Sequence, residues 1–99
     1  MLDGFSIMTS FFTEFIHTEK GVSCSDIGFM YLSTAQECSG GAVSYAESFN
    51  SDARYESEIN LSTSPTGCII DDSGSMYFNS YPTGDRNSLY SSICRKGNT

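Results

Sequence analysis

The sequence predicts an α+β domain: one helix over about residues 34–48, packed on a small antiparallel sheet and stapled by two disulfides. Three observations carry this. Four cysteines, Cys24, Cys38, Cys68 and Cys94, are spread irregularly through 99 residues. Ala35, Cys38, Ala42, Tyr45, Ala46 and Phe49 recur at the three- and four-residue spacing of one helix face. Further on, two apolar runs flank a turn-rich tip, which is the pattern of a β-hairpin.

The helix is expected to start at Ser33-Thr34-Ala35-Gln36, a capping box in which the serine hydroxyl takes an orphan amide and the glutamine reaches back. Its small residues allow close packing. Gly40 and Gly41 weaken it by about 1 kcal/mol each relative to alanine, so it depends on its cysteine and on packing. Residues 50–66 are polar and broken by turn formers, with Ile59 and Leu61 marking a short strand. Gly67-Cys68-Ile69-Ile70, the tip Asp71-Asp72-Ser73-Gly74 and Met76-Tyr77-Phe78-Asn79 make the hairpin. Leu89, Tyr90, Ile93 and Cys94 form a closing strand.

Composition narrows the class. Charged residues make up 17% of the chain, against roughly 25% in average soluble proteins, and 18 Ser and 8 Thr fill the difference. A hydroxyl-rich surface suits an extracellular or cell-surface protein. The net charge is −7 and the five basic residues form no stripe, so a nucleic-acid partner is not expected. No run of 18 apolar residues is present to span a membrane. The first twenty-odd residues do not read as a signal peptide, because Asp3 and Glu14 interrupt the apolar run and no basic stretch precedes it.

The cysteine gaps contain no C-x-x-C pair, and His17, the sole histidine, lies outside the cysteine region. Close ligand pairs are what zinc sites and thioredoxin-like redox motifs use. Four cysteines in a short chain therefore read as two disulfides formed in an oxidising compartment, with three pairings open. No metal or other cofactor is expected.

Residues 1–23 stand apart from the module at 24–99. They hold Leu2, Phe5, Ile7, Met8, Phe11, Phe12, Phe15 and Ile16 and no cysteine. The spacing of Phe5, Met8, Phe12, Phe15 and Ile16 fits a helix capped by Asp3, while Phe5, Ile7, Phe11 and Phe15 fall on one face of a strand. Two roles stay open: packing on the chain's own core, or docking on a neighbouring copy as a donated element. The candidate assembly interface is Phe5, Ile7, Met8, Phe11, Phe12, Phe15 and Ile16.

No catalytic residues are assigned. A lone His17 in a Ser/Thr-rich segment reads as a surface residue, and Glu56 and Glu58 as a solvated face. Asp71, Ser73 and Ser75 resemble the D-x-S-x-S metal loop of von Willebrand A domains, but the setting is a hairpin tip, which explains the same letters. Asn60-Leu61-Ser62 is an N-glycosylation sequon in a stretch read as exposed, making Asn60 a candidate glycan site.

Leu32-Ser33-Thr34-Ala35-Gln36-Glu37-Cys38, Pro65-Thr66-Gly67-Cys68, Tyr77-Phe78-Asn79 and Ile93-Cys94-Arg95-Lys96 together resemble a small four-cysteine module of secreted and cell-surface proteins of microalgae and other protists. The likeness spans residues 24–96. Gly40-Gly41 stand where that helix usually has alanines, and Ile69 where an aromatic often follows the third cysteine. The resemblance implies an extracellular location and no enzymatic activity. Within such a module the favoured pairing is Cys38–Cys68, tying helix to hairpin, and Cys24–Cys94, closing the ends.

The expected function is a non-enzymatic structural subunit of a surface filament or matrix, self-associating through the N-terminal segment. The alternative is a monomeric module binding glycans through Tyr77, Tyr81, Tyr90, Asn79 and Asp85.

Overall fold

The structure, a computed structural model, describes residues 14–96. The strands are β1 (Phe15–His17), β2 (Met30–Tyr31), β3 (Arg54–Ile59), β4 (Gly67–Asp71), β5 (Ser75–Asn79) and β6 (Tyr90–Arg95). A 3-10 turn at Cys24–Ile27 precedes β2, and two short helices, α1 (Ala35–Ser39) and α2 (Gly41–Ala46), lie between β2 and β3.

The predicted hairpin forms from β4 and β5, with Cys68 opposite Phe78 and Ile70 opposite Met76. Alternation sends these four side chains to one face, where they are buried with Ile93 of β6, the partner of Cys68. Leu32, Cys38, Ala42 and Ala46 meet them from the helical side. The alanines let the helix approach closely, and each fully buried Ile, Leu or Met contributes about 1.5–3 kcal/mol.

The helical stretch is interrupted where the glycine pair stands. Gly40, at φ −106 and ψ −102, caps the end of α1 and the start of α2. The expected Ser33–Gln36 capping box does not form; the N-cap is Thr34. Glu37 N donates to Thr34 Oγ1 (3.1 Å), and Ser33 N donates to Glu37 Oε1 (3.1 Å). The Glu37 carboxylate thus holds the amide ahead of the N-cap and is also ion-paired with Arg95 of β6.

The sheet order is β1-β6-β4-β5-β3, with β2 also pairing β6. It is mixed, not wholly antiparallel as expected, because β3 runs parallel to β5. Arg54 N donates to Gly74 O at the hairpin tip (2.8 Å), so β3 starts beside the start of β5. Residues 60–66 then carry the chain back to β4, and β5 fills the slot between β3 and β4.

The two disulfides act on opposite faces. Cys38–Cys68 ties α1 to β4 in the main core, and Cys24–Cys94 ties the 3-10 turn to β6. On that second face Ile69, Ser92 and Asn79 are buried. Arg86 joins the segment 80–89 to the 3-10 turn through a two-point ion pair with Asp26 (2.7 and 2.8 Å). Among the described residues no helix is long and apolar enough to cross a membrane.

Candidate functional site

The apolar N-terminal run enters the domain as strand β1 at one edge of the sheet, with Phe15 opposite Arg95 and Ile16 opposite Cys94. Lys96 N donates to Glu14 O (2.9 Å) and Thr18 N to Ser92 O (2.9 Å), which fastens both ends of this short strand. Phe15 is 6% exposed and belongs to the core, its ring 5.8 Å from that of Tyr45. It is therefore not available to a neighbouring copy, a correction to its place in the expected interface. Ile16 is half-buried. Phe5, Ile7, Met8, Phe11 and Phe12 lie outside the described residues.

The opposite edge, β3, has a different character. Arg54, Glu56 and Glu58 are exposed along it, and a bulge interrupts its pairing between Tyr55 and Ser57. Charges and bulges are how sheet edges resist adding foreign strands.

The D-x-S-x-S tip is occupied by the fold itself. Asp71 Oδ1 accepts from Ser73 N, Ser73 Oγ and Ser75 N (2.9, 2.7 and 3.1 Å), closing the turn. Ser75 Oγ donates to Glu56 (3.0 Å) and accepts from Arg54 Nη2 (2.7 Å), while Arg54 Nε donates to Glu56 (2.8 Å). The cation in this cluster is the guanidinium. Among the described residues no group of three or more His, Cys, Asp and Glu side chains is placed to hold a metal ion.

The residues named for glycan binding differ in exposure. Asn79 is completely buried. Its amide donates to the carbonyls of Leu61, Ser64 and Pro65 (2.8–2.9 Å), and its carbonyl accepts from Leu61 N and Tyr81 N (2.9 and 3.3 Å). It organises the 60–66 loop and has nothing left for a ligand. Tyr77 and Tyr90 are half-buried in an edge-on pair 6.3 Å apart. Burial pushes the Tyr90 phenol up, helped by Tyr77 and Asp71, so it stays neutral. Asp85 is exposed. Asn60 is exposed too, just past the end of β3, and donates to Ser80 Oγ (2.9 Å).

His17 lies at the surface, as the sequence suggests, but it is not isolated. Its ring stacks on Phe49 with centroids 3.8 Å apart and planes 15° from parallel, and its Nδ1 shares a 2.7 Å hydrogen bond with the Tyr45 hydroxyl. Partial burial holds its pKa below the ordinary histidine value. The trio fastens β1 to α2. Comparison with protein-family models, with curated proteins and with solved structures finds no match.

Proposed function

We propose that this chain is a non-enzymatic extracellular structural protein, a subunit that associates with copies of itself through the apolar residues preceding β1. The observation that carries the reading is the place of β1 at the sheet edge. β1 lies at the perimeter of the domain, and a segment joined to an edge strand suits engagement of a neighbouring chain. The charged, bulged β3 edge argues that association is directed to the β1 side. With Phe15 in the core, the residues left for the interface are Phe5, Ile7, Met8, Phe11, Phe12 and the half-buried Ile16.

Two disulfides support an oxidising compartment, and so does the resemblance of residues 24–96 to secreted protist modules. The exposed Asn60 sequon is read as a glycan acceptor on the same argument.

The structure dictates the test. Deletion must stop at Thr13, because Phe15 and Thr18 are buried parts of the domain. The full chain is expected to form oligomers by light scattering after size-exclusion, and the chain starting at Glu14 to be a monomer with an unchanged circular-dichroism spectrum. A full chain that stays monomeric at high micromolar concentration refutes the assembly reading.

A further inference from the structure

We propose that a groove between the end of β1 and the β4–β5 tip is a binding site for a neutral saccharide. The hollow has a volume of about 440 Å³ and is lined by His17, Lys20, Phe49, Asn50, Asp72 and Ser91, among others. That volume lies in the range of small-ligand sites, which combine aromatic walls with a few placed polar groups. None of these residues belongs to the assembly segment, so the site is independent of the function proposed above.

The aromatic wall is rigid and presented to solvent. Phe49 is 40% exposed although its backbone is anchored to Ala46 O (3.0 Å). His17 backs its ring, and Tyr45 meets it edge-on at 5.5 Å. A ring held in this way loses little freedom when a ligand stacks on it. The axial C–H bonds of a pyranose carry partial positive charge and fit the electron-rich face of such a ring.

The polar side is built to accept hydrogen bonds. Asp72 Oδ2 is held by Lys20 Nζ (2.6 Å), and Oδ1 has no hydrogen bond among the described residues. Asn50 Nδ2 donates to the Asp72 carbonyl (3.4 Å) and its Oδ1 accepts from Asp52 N (3.0 Å), which fixes the amide at the rim. Vicinal hydroxyls donate to such a solvent-exposed carboxylate.

Charge sets the class of sugar. Glu19, Asp71 and Asp72 line the groove against Lys20 on a chain of net charge −7, so uronates and sulfated sugars are repelled. Asp72 already holds the lysine, which disfavours a cationic ligand.

The test is a titration of the ¹⁵N-labelled full chain with maltohexaose, cellohexaose and mannohexaose, with hexagalacturonate and a chitosan hexamer as the charged arms. At least one neutral oligosaccharide at about 10 mM is expected to shift amide signals of residues 17–20, 49–50 and 71–72. Phe49→Ala and Asp72→Ala should each weaken binding by about tenfold, and Phe49→Tyr should retain it. Removal of residues 1–13 should leave affinity unchanged, so loss of assembly and loss of sugar binding are read separately. No shifts with any neutral sugar, shifts centred elsewhere, equal binding by Phe49→Ala, or tighter binding of either charged hexamer overturns the proposal.

Discussion

Replacing Asn79 with alanine is expected to cost about 3–5 kcal/mol. The side chain is 0% exposed and serves five backbone groups, four in the loop between β3 and β4 and one, Tyr81 N, just past β5. The carbonyls of Ser64 and Pro65 are bonded in buried surroundings, and each costs about 1–3 kcal/mol when orphaned. The Leu61 groups and Tyr81 N lie nearer solvent and recover part of their loss from water. At about 4–8 °C per kcal/mol for a domain of this size, the melting temperature should fall by about 12–40 °C. Asn79→Asp keeps the shape but sets a carboxylate against three carbonyl oxygens. It should be worse than alanine at neutral pH and recover partly in acid, as the carboxyl gains a proton it can donate. Thermal denaturation followed by circular dichroism, with hydrogen exchange at the Leu61 and Tyr81 amides, reads both effects. A loss under about 1 kcal/mol for Asn79→Ala, or an aspartate variant as stable as the parent at pH 7, refutes the assignment of Asn79 as the loop organiser.

The disulfides close loops separated by 70 and 30 residues, for which chain entropy gives about 4.5 and 3.5 kcal/mol. Denaturant titration should show the Cys24→Ala/Cys94→Ala pair less stable than Cys38→Ala/Cys68→Ala, and an unchanged melt under strong reductant would contradict both estimates. Gly74 has φ +94, and an added Cβ there would lie 2.4 Å from Asp52 O, whereas Gly28 at φ +80 faces open space. Gly74→Ala should therefore lower the melting temperature clearly more than Gly28→Ala, whose cost of about 1 kcal/mol is backbone strain alone. Hydrogen bonds from Arg86, and from Ser23 N, hold Asp26 well below the usual carboxylate range. A depressed folded-state pKa gives stability that is complete above the unfolded value of about 3.9 and lost as pH falls through the folded one. The melting temperature of Asp26→Asn should consequently start lower at pH 7 and fall less steeply below about pH 4.

Local signals in this chain were readable in proportion to how local their causes are. The hairpin at 67–79 follows from alternation around a turn whose Asp71, Ser73 and Ser75 bond one another. Ala42 and Ala46 announce a closely packed helix, and the glycine pair marks where it breaks. Each misplacement has a distant cause. The helix is capped by Thr34 rather than Ser33, and Glu37, not Gln36, reaches back while Arg95 of β6 engages it. Phe49 shares the helical spacing of the core residues, but α2 ends at Ala46. Past that end the helical phase no longer holds, and the ring turns outward onto His17. The direction of β3 depends on its pairing with β5, which lies further along the chain.

What the sequence by itself determined is the α+β class, the helix and hairpin, and a chain built around two disulfides. These rest on periodicity and turn chemistry, which act over a few residues. Only the tertiary structure decided that Cys24 meets Cys94 and Cys38 meets Cys68, that the sheet is mixed, and that Phe15 belongs to the core. The groove walled by His17 and Phe49 is of the same kind. Its residues are far apart in sequence, and it exists because burying the two sheet faces brings β1, the end of α2 and the β4–β5 tip together.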